Sequence, residues 1–134
     1  MNSTKRADSD RIARILIVDD DPTIRELVMM NLEAGGFGVA ALDGGTDAKS
    51  AADHLSPDLL ILDVMMPEVD GFAVLESLRS DPKTRDIPVL LLSAKATSDD
   101  VHAGLEAGAD AYVTKPFCPD ELQQEVERLL LGDL

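Results

Sequence analysis

Four places in the chain carry side chains suited to phosphoryl chemistry. They are the run Asp19-Asp20-Asp21, the single Asp63, the hydroxyl of Ser93, and the amine of Lys115 in Thr114-Lys115-Pro116. Carboxylates packed at close range repel, and their charged forms need compensation. A hard divalent cation supplies it. Magnesium takes oxygen ligands and is usually held by one or two carboxylates plus a phosphate, with manganese as a substitute. Asp20 and Asp63 are the natural direct ligands, Asp19 acts through water, and the backbone carbonyl of Met65, just past Asp63, is a further candidate. Beside such an ion Asp63 can act as nucleophile toward phosphorus, since aspartyl phosphate is an established type of covalent intermediate. Phosphoryl transfer passes through a loose transition state, so positioning and charge neutralisation do most of the catalysis. Lys115 suits the role of point charge on a phosphoryl oxygen. The Ser93 hydroxyl can donate to another.

This chemistry requires the four places to meet, and the hydropathy pattern explains how they do. Arg14-Ile15-Leu16-Ile17-Val18 is a continuous apolar run, the mark of a strand buried on both faces. Asp58–Asp63 and Pro88–Ser93 read the same way, while Phe37–Leu42 and Ala111–Val113 complete a set of five strands. Helices follow each strand. The first starts at Asp21-Pro22, with Asp as N-cap and Pro in the first turn, and ends at Gly35-Gly36. The others are expected over Thr46–Leu55, Phe72–Arg79, Asp99–Ala107 and Pro119–Leu131. Five such β-α pairs imply an α/β fold, a doubly wound five-stranded parallel sheet with helices on both faces. In that fold ligands bind beyond the carboxyl ends of the strands. Asp19-Asp20, Asp63, Ser93 and Lys115 all fall at those ends.

Composition narrows the function further. At 134 residues the chain fits one domain, expected as a flexible tail over 1–13, a folded body over 14–131 and a short end over 132–134. Net charge is −14, and residues 15–134 carry −16 of it against +2 on the first fourteen. So acidic a body repels phosphate backbones, which argues against direct nucleic-acid binding. No apolar run reaches membrane-spanning length, the first ten residues are not a secretory signal, and a lone Cys118 suits a reducing compartment; a cytoplasmic location is expected. Blander readings compete at each position. An Asp-Asp pair after a strand is commonly a loop or capping acid, Ser93 can cap its own loop, and Lys115 can be a surface lysine beside a turn. Their coincidence at matching strand ends favours the site. Asp21 is the exception and reads as a helix cap. Cys118 is a poor cap for the last helix, His102 reads as a surface residue, and the methionines as gap-filling side chains.

At these residues the chain resembles the receiver domain of bacterial two-component response regulators. The matching segments are Ile15–Pro22, Leu62–Pro67, Asp70-Gly71, Leu92–Lys95, Gly108–Tyr112 and Thr114–Phe117, in order over roughly residues 14 to 131. The resemblance implies a flavodoxin-like strand order 2-1-3-4-5, Asp63 as phosphoacceptor, and Asp19 and Asp20 as the acidic pair for magnesium. It implies Lys115 as the pocket lysine, Ser93 as the hydroxyl that tracks the phosphoryl group, and Tyr112 as an aromatic switch. A cis Lys115–Pro116 bond is also expected. The implied phosphodonor is a sensor histidine kinase or histidine phosphotransfer protein. The implied output is a changed surface of the fourth helix, fifth strand and fifth helix, read by a downstream protein or a fused output domain. No output domain follows within these residues, so a stand-alone regulator and the receiver of a longer chain are both expected readings. The last helix carries Glu121, Glu125 and Glu127 against Arg128, unlike the basic helix that pairs transcription-factor receivers. A monomer or a phosphorylation-dependent homodimer is therefore expected.

Two other classes fit less well. A phosphohydrolase with an aspartyl intermediate needs a second acid two residues past the nucleophile, where this chain has Met65. A flavin carrier of the same fold needs a hydroxyl- and Gly-rich phosphate loop after strand one, where this chain has three aspartates.

Overall fold

The computed structural model describes residues 6–8 and 11–131. Five parallel strands form the central sheet: β1 (Arg14–Val18), β2 (Gly38–Leu42), β3 (Leu59–Asp63), β4 (Val89–Ser93) and β5 (Ala111–Thr114). They lie in the order β2-β1-β3-β4-β5, the doubly wound arrangement expected from the sequence. Helices α1 (Pro22–Ala34), α2 (Ala48–Leu55), α3 (Gly71–Arg79), α4 (Ser98–Glu106) and α5 (Pro119–Leu131) connect or follow them.

The period of two along each strand divides the core. Ile15, Ile17, Leu59, Ile61, Leu90 and Leu92 pack with Val28 and Leu32 of α1 and with Leu122 and Val126 of α5. Leu16, Val18, Leu60, Leu62, Val89 and Leu91 pack with Ala48 and Ala52 of α2 and with Val74, Leu75 and Leu78 of α3. Every residue of β3 and β4 is buried, which is why their sequences show no alternation. Burying each large aliphatic side chain is worth about 1.5–3 kcal/mol, so these two layers fix the sheet from which the polar strand ends project.

Local chemistry sets the ends of the helices. The Asp21 carboxylate accepts from Thr23 N–H and Pro22 occupies the first turn, so Asp21 is the expected cap. Asp70 caps α3 through Phe72 N–H. Helix α2 begins at Ala48 rather than Thr46, and Asp47 at its cap makes no side-chain bond there. Helix α4 begins one residue earlier than expected, because Thr97 and Asp100 form a reciprocal capping box.

Two pieces of the segment expected as a tail, Arg6–Asp8 and Arg11–Ile12, pair antiparallel, and Ala13 is fully buried. Residues 132–134 lie outside the described residues. At the amino edge of the sheet Arg79 ties three segments together. Its guanidinium donates to the carbonyls of Gly108, Arg85 and Ile87 and to Asp110, whose carboxylate also accepts from Val89 N–H. Among the described residues no helix is long and apolar enough to cross a membrane.

Candidate functional site

The opposite, carboxyl edge gathers the residues singled out above. Asp19 and Asp20 follow β1, Asp63 ends β3, Ser93 ends β4 and Lys115 follows β5. Register places these ends level, since Val18 pairs with Leu62, Asp63 with Leu92 and Ser93 with Thr114. One carboxylate oxygen from each of Asp19, Asp20 and Asp63 lies within 4.8 Å of the other two. Asp19 and Asp63 are almost wholly buried, at 0% and 2% exposure.

The partners of these carboxylates are few. Asp19 Oδ1 accepts from Asp21 N–H at 2.9 Å, and Asp63 Oδ1 accepts from Met65 N–H at 3.2 Å. Lys115 Nζ stands 3.0 Å from Asp19 Oδ2 and 3.5 Å from Asp63 Oδ1. Asp19 Oδ2 has no hydrogen-bond donor with good geometry; the ammonium is a charge neighbour only. Lys115 therefore stands beside two of the three acids. Burial, followed by the charge of Asp19, pushes the Asp63 carboxyl up to about 7, against the opposing pull of Lys115 and the Met65 N–H. Burial alone would lower Lys115, but the adjacent carboxylates of Asp19 and Asp63 hold it above the ordinary lysine range.

An under-compensated group of oxygen ligands with one orphaned, buried carboxylate oxygen fits a hard divalent cation. Among the described residues, Asp19, Asp20 and Asp63 are the side chains grouped closely enough to hold one. A groove of about 310 Å³ opens beside Asp20 and is lined by Asp43, Asp47 and Glu68, which adds to the negative potential.

Two close approaches shape the loop after β3. A Cβ on Gly71 would fall 2.8 Å from Val64 Cα and closer still to the Asp63 carbonyl, so only glycine lets α3 start there. Met65 is 55% exposed, bridges to Asp70, and lines a second cavity with Lys95.

Ser93 and Tyr112 meet at a residue that sequence reading did not connect to them. Ser93 is fully buried and its Oγ accepts from Lys95 N–H at 3.0 Å rather than touching Asp63. The Tyr112 hydroxyl donates to the Lys95 carbonyl at 2.7 Å. Ser93 also accepts from Lys115 N–H through its carbonyl, and the Lys115–Pro116 bond is cis. Arg25 was likewise not singled out; it donates to the Asp19 carbonyl at 2.8 Å and braces the acidic turn. Its only sequence signal is its place in the first turns of α1. Cys118 and His102 are exposed and stand apart from this group.

Comparison with known proteins agrees with this fold. The family model described as "Response regulator receiver domain" matches residues 15–127. The DNA-binding dual master transcriptional regulator RpaA of Synechocystis is 48% identical over 87% of this chain and 48% of its own length. The DNA-binding response regulator MtrA of Mycolicibacterium smegmatis is 44% identical over 87% of this chain and 50% of its own. The chain thus spans about half the length of these curated relatives. The chemotaxis response regulator CheY4 of Vibrio cholerae superposes with a TM-score of 0.82 at 30% identity, covering 87% of this chain and 98% of the other. Shared fold, level strand ends and a family match over most of the sequence lead to one conclusion: the chain belongs to the receiver-domain family of two-component response regulators.

Proposed function

We propose that Asp63 accepts a phosphoryl group from a phosphohistidine of a sensor kinase or phosphotransfer protein, and that the adduct resets the surface formed by α4, β5 and α5. The observation that carries this reading is the burial of Asp63 within 4.8 Å of two other acids and 3.5 Å from a lysine. Magnesium, or manganese in its place, held by Asp19, Asp20, Asp63 and the Met65 carbonyl, supplies charge neutralisation for the incoming phosphoryl group. An Asp63 oxygen forms the new bond to phosphorus as the phosphorus–nitrogen bond of the donor breaks, and the electron pair returns to the imidazole. Lys115 stands near enough to Asp63 to pair with a phosphoryl oxygen once the adduct forms. Ser93 Oγ is occupied as an acceptor by Lys95 N–H, which leaves its hydroxyl proton to donate to a second oxygen.

The adduct carries about two negative charges where the carboxylate carried one. Movement of Ser93 toward them releases the Lys95 loop, and with it the carbonyl that holds the Tyr112 hydroxyl. The result is a shift between two packings biased by one local charge. The output is a protein partner or a linked output domain; at a net charge of −14, direct DNA contact by this domain is disfavoured. The chain acts as a signalling switch that promotes its own phosphoryl transfer and loss, in the cytoplasm, as a monomer or a phosphorylation-dependent homodimer.

The test is intact mass after incubation with acetyl phosphate, with and without magnesium, for the wild type and Asp63→Asn. The expected result is one phosphoryl adduct that requires both magnesium and Asp63. An adduct that survives in Asp63→Asn, or none under any condition, refutes the proposal.

A further inference from the structure

Helix α4 is attached to the sheet differently from its neighbours. Its one buried residue is a glycine, Gly104, with Val101 half-buried beside it, while Leu105 on the same turn is 45% exposed. Glycine is the poorest helix former after proline, so its place at mid-helix calls for a reason. Backbone conformation is not that reason, since its φ lies outside the left-handed region, unlike Gly36 and Gly108. Space is. A Cβ built on Gly104 would lie 2.8 Å from Tyr112 Cδ2, 2.9 Å from Tyr112 Cε2 and 3.0 Å from Leu91 Cδ1. Real Cβ atoms do not approach so closely, and an aromatic ring held at its far end yields less than a flexible chain. The Tyr112 ring is so held, by its hydroxyl on the Lys95 carbonyl.

We infer that Gly104 is a positioning residue whose missing Cβ forms the seat of the Tyr112 ring, so that the placement of α4 and the orientation of that ring are set by one contact. The linkage then runs from Ser93 Oγ through Lys95 to the Tyr112 ring and on to Gly104 of α4. The seat makes the helix depend on the ring: with the ring in place α4 lies close to the sheet, and with the ring displaced Gly104 keeps only Leu91 among these close neighbours. Its consequence for signalling rests on the switch reading of Ser93 and Tyr112 given above. The seat itself does not, and is tested on the unphosphorylated protein.

The test is Gly104→Ala in two backgrounds, wild type and Tyr112→Ala. The chain has one tyrosine and no tryptophan, so 3-fluorotyrosine gives a single fluorine resonance from position 112. In the wild-type background, Gly104→Ala is expected to lower Tm and to produce a second fluorine resonance from a displaced ring. In the Tyr112→Ala background the same substitution is expected to leave Tm unchanged or raise it, because alanine is then only a better helix former. Equal Tm increments in both backgrounds, or one unaltered resonance, overturn the inference. Should Gly104→Ala alone fail to fold, recovery of folding in the double variant supports the contact and failure to recover overturns it.

Discussion

Replacing Asp63 by Asn should stabilise the metal-free protein, although it removes the residue proposed to do the chemistry. Burial and the adjacent Asp19 raise the Asp63 carboxyl from 3.8 to about 7, so at pH 8 the fold holds a charge that the unfolded chain carries more easily. About three pKa units at 1.36 kcal/mol each set a ceiling of about 4 kcal/mol. Water entry and relaxation around a buried charge cut this to about 2 kcal/mol. For a domain of this size that corresponds to a rise in Tm of about 5–8 °C. Asn keeps an acceptor for Met65 N–H, so the gain is not offset by an orphaned donor. The sign depends on pH. Well below pH 3.8 the wild-type carboxyl is neutral in both states and the two proteins should melt alike. As pH rises from 4 to 7 the folded state retains the proton more tightly than the unfolded, so wild-type stability falls relative to the variant; above 7 the difference is constant. The assay is thermal unfolding by circular dichroism in EDTA, across pH 4 to 8. Added magnesium should raise the wild-type Tm and move the variant much less. A variant that melts at or below the wild type at pH 8, or a difference that ignores pH, would refute the electrostatic account.

Lys115→Met leaves the buried acids without their one ammonium neighbour, so about 3 kcal/mol of stability should be lost at pH 8 without metal, with partial rescue by magnesium, measured by urea unfolding. Gly71→Ala forces a Cβ against backbone at 2.8 Å, and overpacking of this kind should cost about 1–3 kcal/mol and lower magnesium affinity in a fluorescence or calorimetric titration. Met65→Asn exchanges a half-exposed apolar side chain beside Asp63 for a polar one that admits water. Decay of the phosphoryl adduct, followed by mass spectrometry, should quicken; an unchanged rate would remove Met65 as a brake.

The strands and the convergence of their ends could be read directly, because a parallel sheet buried on both faces writes itself as apolar runs, and Asp63 and Ser93 stand at the ends of two of them. The caps at Asp21 and the break at Gly35-Gly36 were legible for the same reason: each depends on a local rule. What escaped depended on backbone groups. Lys95 joins Ser93 to Tyr112 through its N–H and its carbonyl, which every residue type possesses, so its side chain gives no sign of that link. Arg25 reaches a carbonyl as well. The start of α4 was misplaced by one residue because Thr97 and Asp100 signal a capping box only when read as a pair. The tightness at Gly104 depends on a ring eight positions along the chain, arriving from another element.

Arg79 has a bearing on all of this from the far side of the molecule. Its guanidinium fastens the end of α3, the turn before β4 and the turn before β5 to one another. Those strands are thereby clamped to one another at their roots, like reeds set in a common block. A disturbance at Asp63 cannot be absorbed by the whole β4–β5 pair sliding, so it must emerge in the loops beyond Ser93 and Thr114. Amide exchange should accordingly show a gradient along each of these strands, slow at Val89 and fast past Ser93. The rigidity needed to give a small chemical event a definite direction thus sits at the end of the sheet where no chemistry occurs.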